Sequence, residues 1–238
     1  IVCGLFFLRY NLQLSKNFFA IYLSQKKSLA LEIVVDTKPH YFNSRDYKFV
    51  EFSLINLKGT PDIVVSFDAL GLPAFLQDNL QALGYETATP IQAGTIPLLL
   101  EGRDVVGLAQ TGTGKTAAFA LPILANIDVK VRSPQALVLC PTRELAQQVA
   151  DAFRSYGRGM GGLRIISIFG GADMRQQRKS LGEGTHLVVA PPGPILDHIE
   201  RRSIHLTGIN TALLHEADGM LRLGFIDHVV TILAKPPH

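Results

Sequence analysis

The chain is short of cysteine, of long apolar runs, of net charge in its main part and of methionine near its start, and each shortage excludes something. Two cysteines among 238 residues, Cys3 and Cys140, cannot make a disulfide framework or a four-ligand zinc site, so a reducing compartment, the cytoplasm, is expected. Residues 1–8 are apolar, but Arg9 and Asn11 interrupt the run well before the roughly 20 residues a membrane span needs. No basic stretch precedes it and no small-residue cleavage site follows, so neither a membrane span nor a secretory signal is expected. The formal charge of +3 arises at the front: residues 1–64 carry eight basic and five acidic side chains, and residues 65–238 hold 15 of each. Net charge is therefore no argument for nucleic acid, which must rest on motifs.

Composition changes abruptly near residue 64. Before it the alanines are Ala20 and Ala30 and the glycines Gly4 and Gly59, while seven of the 13 Phe and four of the six Tyr lie there. The three methionines, Met160, Met174 and Met220, all follow it. Residues 1–64 read as an atypical N-terminal extension in one of two ways. Either they are upstream sequence read through, with the natural start near Val65–Ser66, or they are a genuine extension with strands over 31–35 and 48–54, rich in β-branched and aromatic residues.

From residue 65 short apolar runs alternate with amphipathic stretches. Strands are expected over 104–109, 136–140, 164–169, 186–190 and 210–214, and helices over 115–126, 143–156, 173–181 and 194–201. That alternation implies right-handed βαβ units: an α/β domain whose parallel sheet carries helices on both faces. Ligands in such folds sit beyond the carboxyl ends of the strands.

Ala109, Gln110, Thr111, Gly112, Thr113, Gly114, Lys115 and Thr116 follow one expected strand and open one expected helix. Glycines allow the backbone to wrap phosphate oxygens, and amides at the helix N-terminus point at the anion. Lys115 can reach the β- and γ-phosphates of ATP and the Thr116 hydroxyl can ligate Mg²⁺. This is a P-loop whose first position is alanine instead of glycine.

Phe67 and the run Gly84-Tyr85-Glu86-Thr87-Ala88-Thr89-Pro90-Ile91-Gln92 precede the loop, and Pro141-Thr142-Arg143-Glu144-Leu145-Ala146 and Gly170-Gly171 follow it. Together these segments resemble the Q motif, motif Ia and GG motif of DEAD-box ATP-dependent RNA helicases, closest to the bacterial RhlE-like group, over residues 65–238. The resemblance implies the N-terminal RecA-like domain of such an enzyme. It implies that Gln92 pairs with the adenine edge, for which a carboxamide has the right donor and acceptor, and that Phe67 packs on the base. It also implies that Pro141, Thr142, Arg143, Glu144, Gly170, Gly171 and Gly193 hold an RNA sugar-phosphate backbone. A transporter-type P-loop ATPase is disfavoured by Phe67 with Gln92 and by residues 141–145.

Departures from that pattern lie after residue 185. Motif II reads His215-Glu216-Ala217-Asp218, so imidazole replaces the aspartate that would hold Mg²⁺, a hard cation that prefers oxygen. Glu216 remains as the expected catalytic base, with Thr116 as the other metal-side residue and Asp218 for coupling. Motif Ib reads Pro191-Pro192-Gly193-Pro194, without the hydroxyl and guanidinium that would meet RNA phosphates. Gly219 and His228 also depart. Each of the changes at 191, 194 and 215 can arise from one base change, the pattern of a decayed or error-bearing copy of an active parent. His40, His186, His198, His205 and His238 lack metal-ligand spacing and are expected to pack or face solvent.

The resemblance further implies that the chain stops before motif III and a second RecA-like domain, which supplies an arginine finger and more RNA contacts. Weak nucleotide binding, negligible ATP hydrolysis and no unwinding are expected of the chain alone. The alternative is a non-hydrolysing pseudo-helicase module that binds nucleotide, RNA or a protein.

Overall fold

A computed structural model describes residues 65–171 and 173–234, together with the backbone of residues 5–9 and 53–56. Two strands come from the front of the chain, β1 (Leu5–Arg9) and β2 (Ser53–Asn56). A small antiparallel pair, β3 (Val65–Ser66) and β4 (Thr87–Ala88), brackets a 3-10 turn and helix α1 (Ala74–Ala82). There follow α2 (Pro90–Leu100), β5 (Val105–Leu108), α3 (Lys115–Ala125), β6 (Ala136–Leu139), α4 (Arg143–Tyr156) and β7 (Ile165–Ser167). The described chain ends with α5 (Met174–Gly182), β8 (Leu187–Ala190), α6 (Pro192–Glu200), β9 (Thr211–His215), α7 (Ala217–Arg222) and α8 (Ile226–Ala234).

The main sheet has seven strands in the order β2-β5-β1-β9-β6-β8-β7. Every residue of β6, β8 and β9 is buried, because helices cover both faces of a parallel sheet and leave no polar side. Alternation along each strand sorts the side chains between two cores. Val105, Val138, Val189 and Leu213 meet Leu76, Ile91, Phe119 and Phe153 of α1 to α4. Val106, Leu137, Leu139, Val188 and Leu214 meet Ile195, Met220, Val229 and Ile232 of α6 to α8. Fully burying one such aliphatic side chain is worth about 2 kcal/mol, so the two cores dominate the stability.

Local signals place the helices. Thr142 caps α4 by accepting from Leu145 N at 3.2 Å, and Asp173 caps α5 by accepting from Arg175 N at 2.8 Å. Helix α2 opens with a capping box in which Thr89 N donates to Gln92 Oε1 at 2.8 Å. Among the described residues no helix is long and apolar enough to cross a membrane.

The five expected strands and four expected helices of the main part all occur. The expected helix over 194–201 begins two residues sooner, at Pro192, since proline suits a first helical turn. Helices α1, α2, α7 and α8 were not anticipated. The expected strand 31–35 lies outside the described residues, and the one over 48–54 overlaps the described β2 at residues 53 and 54.

One feature departs from an all-parallel sheet. Strand β1 runs antiparallel between β5 and β9, pairing Leu8 with Val105 and Phe7 with Leu214. Strand β2 lies parallel to β5 on its other side. The strand that feeds the P-loop is thus bordered on both sides by segments from the first 64 residues. Deleting residues 1–64 is expected to cost on the order of 4 kcal/mol of ladder hydrogen bonding, lowering Tm by roughly 10 °C. Thermal unfolding followed by circular dichroism checks this; an unchanged Tm would show that β5 needs neither neighbour.

Candidate functional site

Strand register brings the motifs together. Leu139 of β6 lies level with Ala190 of β8 and with Leu214 of β9, so Cys140, Pro191 and Glu216 open segments that leave the sheet at the carboxyl ends of these strands. Cys140 N extends the ladder by donating to Ala190 O at 3.0 Å. Strand β5 delivers the P-loop to the same end.

The P-loop turns through two glycines in left-handed conformations, Gly112 at φ 83° and Gly114 at φ 86°. Its rim, Gln110, Thr111 and Gly112, faces solvent, while Ala109 is buried and Thr113 and Thr116 are half-buried. Lys115 opens α3 and is buried; its Nζ donates to the carbonyls of Ala109 and Gln110, both at 2.8 Å, which holds the ammonium inside the curl of the loop. Thr113 Oγ1 donates to Gln110 O at 2.8 Å and staples the turn.

The front of α2 braces this loop. Thr89 Oγ1 donates to Thr113 O at 2.8 Å, and Gln92 Nε2 donates to Gly114 O at 3.1 Å. With its Oε1 taken by Thr89 N, the Gln92 amide is engaged at both ends and 2% exposed. Gln92 is therefore beside the phosphate loop, joined to it through main chain. Phe67 is also buried, edge-on to Tyr85 at 5.8 Å, and Tyr85 is edge-on to Tyr156 at 5.9 Å. Thr89 was named from the sequence only within the Q-motif run; its bracing role was not, although the Thr-x-x-Gln spacing of a capping box was there to find it.

At the end of β9, His215 is buried and its ring lies 5.0 Å from that of Phe119. Burial first, and then the Lys115 charge, push its pKa down to about 4, so the imidazole is neutral at pH 7. Its Nδ1 is buried without a hydrogen-bond partner. Glu216 follows in a left-handed conformation, φ 55° and ψ 50°, costly for a residue with a side chain and typical of functional turns. Its charge reaches the buried Cys140 thiol, whose pKa is raised mainly by burial and further by Glu216. Asp218 is buried and accepts from Arg222 Nη1 at 3.0 Å.

Thr116, Glu216 and His215 are the residues that would have to hold a cation. The described residues include no group of three or more His, Cys, Asp or Glu placed to hold a metal. A neutral imidazole, packed on Phe119, stands where Mg²⁺ would need an oxygen, so these residues do not fit that ion.

The expected RNA contacts lie along the same edge. Thr142 and Arg143 start α4, with Pro141 buried before them and Glu144 exposed in the first turn. The Arg143 guanidinium sits 4.1 Å over the Phe169 ring, which presents it beside Gly170 and Gly171. Gly171 has φ 78°. A Cβ on Gly170 would lie 3.9 Å from Pro194 Cγ, and one on Gly193 would lie 3.9 Å from His228 Nδ1, so the turn, α6 and α8 meet here. Pro192 and Pro194 have no N–H, and Ile195 N already donates to Pro191 O at 3.4 Å. Gly193 N–H is thus the first-turn amide that can face a ligand. Phe169 joins this surface without a signal in the sequence, and His228, marked there only as a departure from the family pattern, is brought to it by the packing of α8.

Gly114 gives the sharpest test of the loop. A Cβ there would lie 2.3 Å from Gln92 Nε2 and 3.1 Å from Thr89 Oγ1, on a backbone already left-handed. Gly114→Ala is expected to weaken binding of mant-ATP at least about tenfold. Fluorescence titration measures this; unchanged affinity would mean that the α2 brace does not shape the nucleotide site.

Comparison with known proteins agrees with the geometry. The DEAD/DEAH box helicase family matches residues 89–237. The ATP-dependent RNA helicase DeaD of Buchnera aphidicola from Acyrthosiphon pisum is 49% identical over 172 residues, 72% of this chain and 29% of the relative. The DeaD protein of Escherichia coli K12 is also 49% identical, over 72% of this chain and 27% of its own length. The names at this level are DeaD, where the motifs suggested the RhlE-like group. Among solved structures, a DEAD box protein from Methanococcus jannaschii superposes with TM-score 0.64 and 36% identity over 72% of this chain and 47% of that one. Prp28 from Chaetomium thermophilum, bound to ADP, gives TM-score 0.65 and 38% identity over 73% and 44%. The chain spans under a third of the length of these curated relatives and under half of these solved chains. With its P-loop, its His-Glu-Ala-Asp turn and its α/β sheet covered on both faces, the chain belongs to the DEAD/DEAH box helicase family.

Proposed function

We propose that this chain is the ATP-binding RecA-like domain of an ATP-dependent RNA helicase in which nucleotide turnover is impaired at His215. The observation that carries this reading is the neutral, buried imidazole set between Phe119 and the charge of Lys115, directly before Glu216. Lys115 and the loop amides would bind the phosphates of ATP, whose anhydride supplies the free energy for remodelling RNA. Glu216 is the group suited to orient or deprotonate an attacking water. Asp218 would couple the site to the RNA surface, and Thr142, Arg143, Gly170, Gly171 and Gly193 would hold the strand. Remodelling of a duplex would require a second RecA-like domain that closes over both surfaces.

The same observation favours a second reading, a module that binds nucleotide, RNA or protein without turnover. RNA-stimulated ATPase assays on the chain fused to a family-type second domain separate the two. His215→Asp in that fusion is expected to raise kcat on the order of 100-fold, the scale of restoring one electrostatic group in a dry site. Equal rates with and without the substitution would refute impairment at His215. Failure of the repaired fusion to hydrolyse ATP would favour the binding module.

The motif Ib prolines are tested separately. Pro191→Thr with Pro194→Arg returns a hydroxyl and a guanidinium to the start of α6, and RNA affinity is expected to rise roughly tenfold. Anisotropy titration of labelled oligo(U) against salt checks this, the repaired chain showing the steeper salt dependence.

A further inference from the structure

A buried polar chain runs beneath the proposed RNA surface and takes no part in nucleotide binding. Gln177 Nε2 donates to the carbonyl of Phe169 at 3.1 Å, immediately before Gly170-Gly171. Gln177 Oε1 lies 3.3 Å from His198 Nε2, and His198 Nδ1 lies 2.8 Å from Ser203 Oγ. His198 is 1% exposed and Gln177 8%. The chain starts on α5, passes through α6 and ends at the turn after it. Through Phe169, whose ring carries the Arg143 guanidinium at 4.1 Å, it also touches the start of α4.

The Phe169 carbonyl sets the hydrogen-bond polarity at the Gln177 end of this chain. A carbonyl acceptor at Phe169 requires the Gln177 amide to present its NH₂ there, so the Oε1 must face His198. An oxygen facing Nε2 requires that nitrogen to carry the proton. Burial first, with Arg178 and Arg201 adding to it against Asp197, lowers the His198 pKa and favours the neutral ring. Nδ1 is then left as an acceptor beside the Ser203 hydroxyl, whose one proton also has His198 O within reach at 3.0 Å, while Ser203 N donates to His198 O at 2.9 Å. Gln177 thus has one orientation that satisfies both Phe169 and His198, and through it the Gly170-Gly171 turn and α6 are held at one spacing, with Gly170 against Pro194.

We propose that Gln177 and His198 are positioning residues that hold the Gly170-Gly171 turn and the start of α6 in register as one surface for the RNA sugar-phosphate backbone. The inference rests on the RNA-binding reading above. It assigns a role to a histidine that sequence alone marks as ordinary packing, and to a glutamine that no motif contains.

The test uses the 238-residue chain and three variants: Gln177→Met and His198→Leu, which remove the polar links at similar size, and His198→Gln, which can still donate toward Gln177. Three quantities are measured: the backbone amide resonances of Gly170, Gly171 and Gly193 without RNA, the Kd for a fluorescein-labelled oligo(U) decamer, and the Kd for mant-ATP. Gln177→Met and His198→Leu are expected to move all three resonances and raise the RNA Kd about tenfold, with mant-ATP affinity changed less than twofold. His198→Gln is expected to restore both readouts. In the unsubstituted chain, a histidine ¹⁵N spectrum with the proton of His198 on Nε2 is expected. Unmoved resonances, the Nδ1–H tautomer, or parallel loss of RNA and nucleotide binding would overturn the positioning role. A parent chain that binds no RNA while the resonances move as expected would instead sink the RNA reading and the surface inferred from it.

Discussion

The parallel ladder joining β9, β6 and β8 is the constraint on which the rest depends. Its register sets Leu214, Leu139 and Ala190 abreast, and the next residues of each strand become the functional edge. Because main-chain hydrogen bonds fix that register and both faces are filled with aliphatic side chains, a one-residue slip would exchange the two cores. The spacing between His215, Pro141 and Pro191 is therefore set by backbone geometry, before any side chain at the edge is chosen.

On this rigid edge, three residues of the site carry a conformational or desolvation cost. Glu216 occupies the left-handed region, Gly114 has no room for a Cβ, and His215 carries a buried nitrogen without a partner. An orphaned buried polar atom costs about 1–3 kcal/mol, and the apolar contact with Phe119 offsets part of it. The site thus keeps its shape with a residue whose chemistry differs from that of the carboxylate the family motif calls for. Shape and reactivity are separable because the shape comes from β9 and the cores on either side.

Legibility in the sequence followed the range of the interactions. The strands 136–140 and 186–190 were readable because a strand buried on both faces is a continuous apolar run. Helix α4 was readable because Thr142 caps it and one of its faces is apolar. Helix α2 was not, since Pro97 lies inside it and apolar Ala93, Leu98 and Leu100 lie outside the buried face of Ile91, Gln92, Thr95, Ile96 and Leu99, which blurs the helical period. Strand β1 lies in the apolar run 1–8, and nothing local says that this run pairs with β5 and β9.

The loop 109–116, the His-Glu-Ala-Asp turn, the proline-rich start of α6 and the alternation of strands and helices are local properties, because each depends on neighbours within a few residues. That Gln92 braces Gly114, that His215 is neutral against Phe119, and that Gln177 and His198 tie the Gly170-Gly171 turn to α6 follow from the packed fold alone. Those outcomes depend on groups brought together by packing from far apart in the chain. Desolvation, which sets their charge and orientation, exists only after the cores have closed.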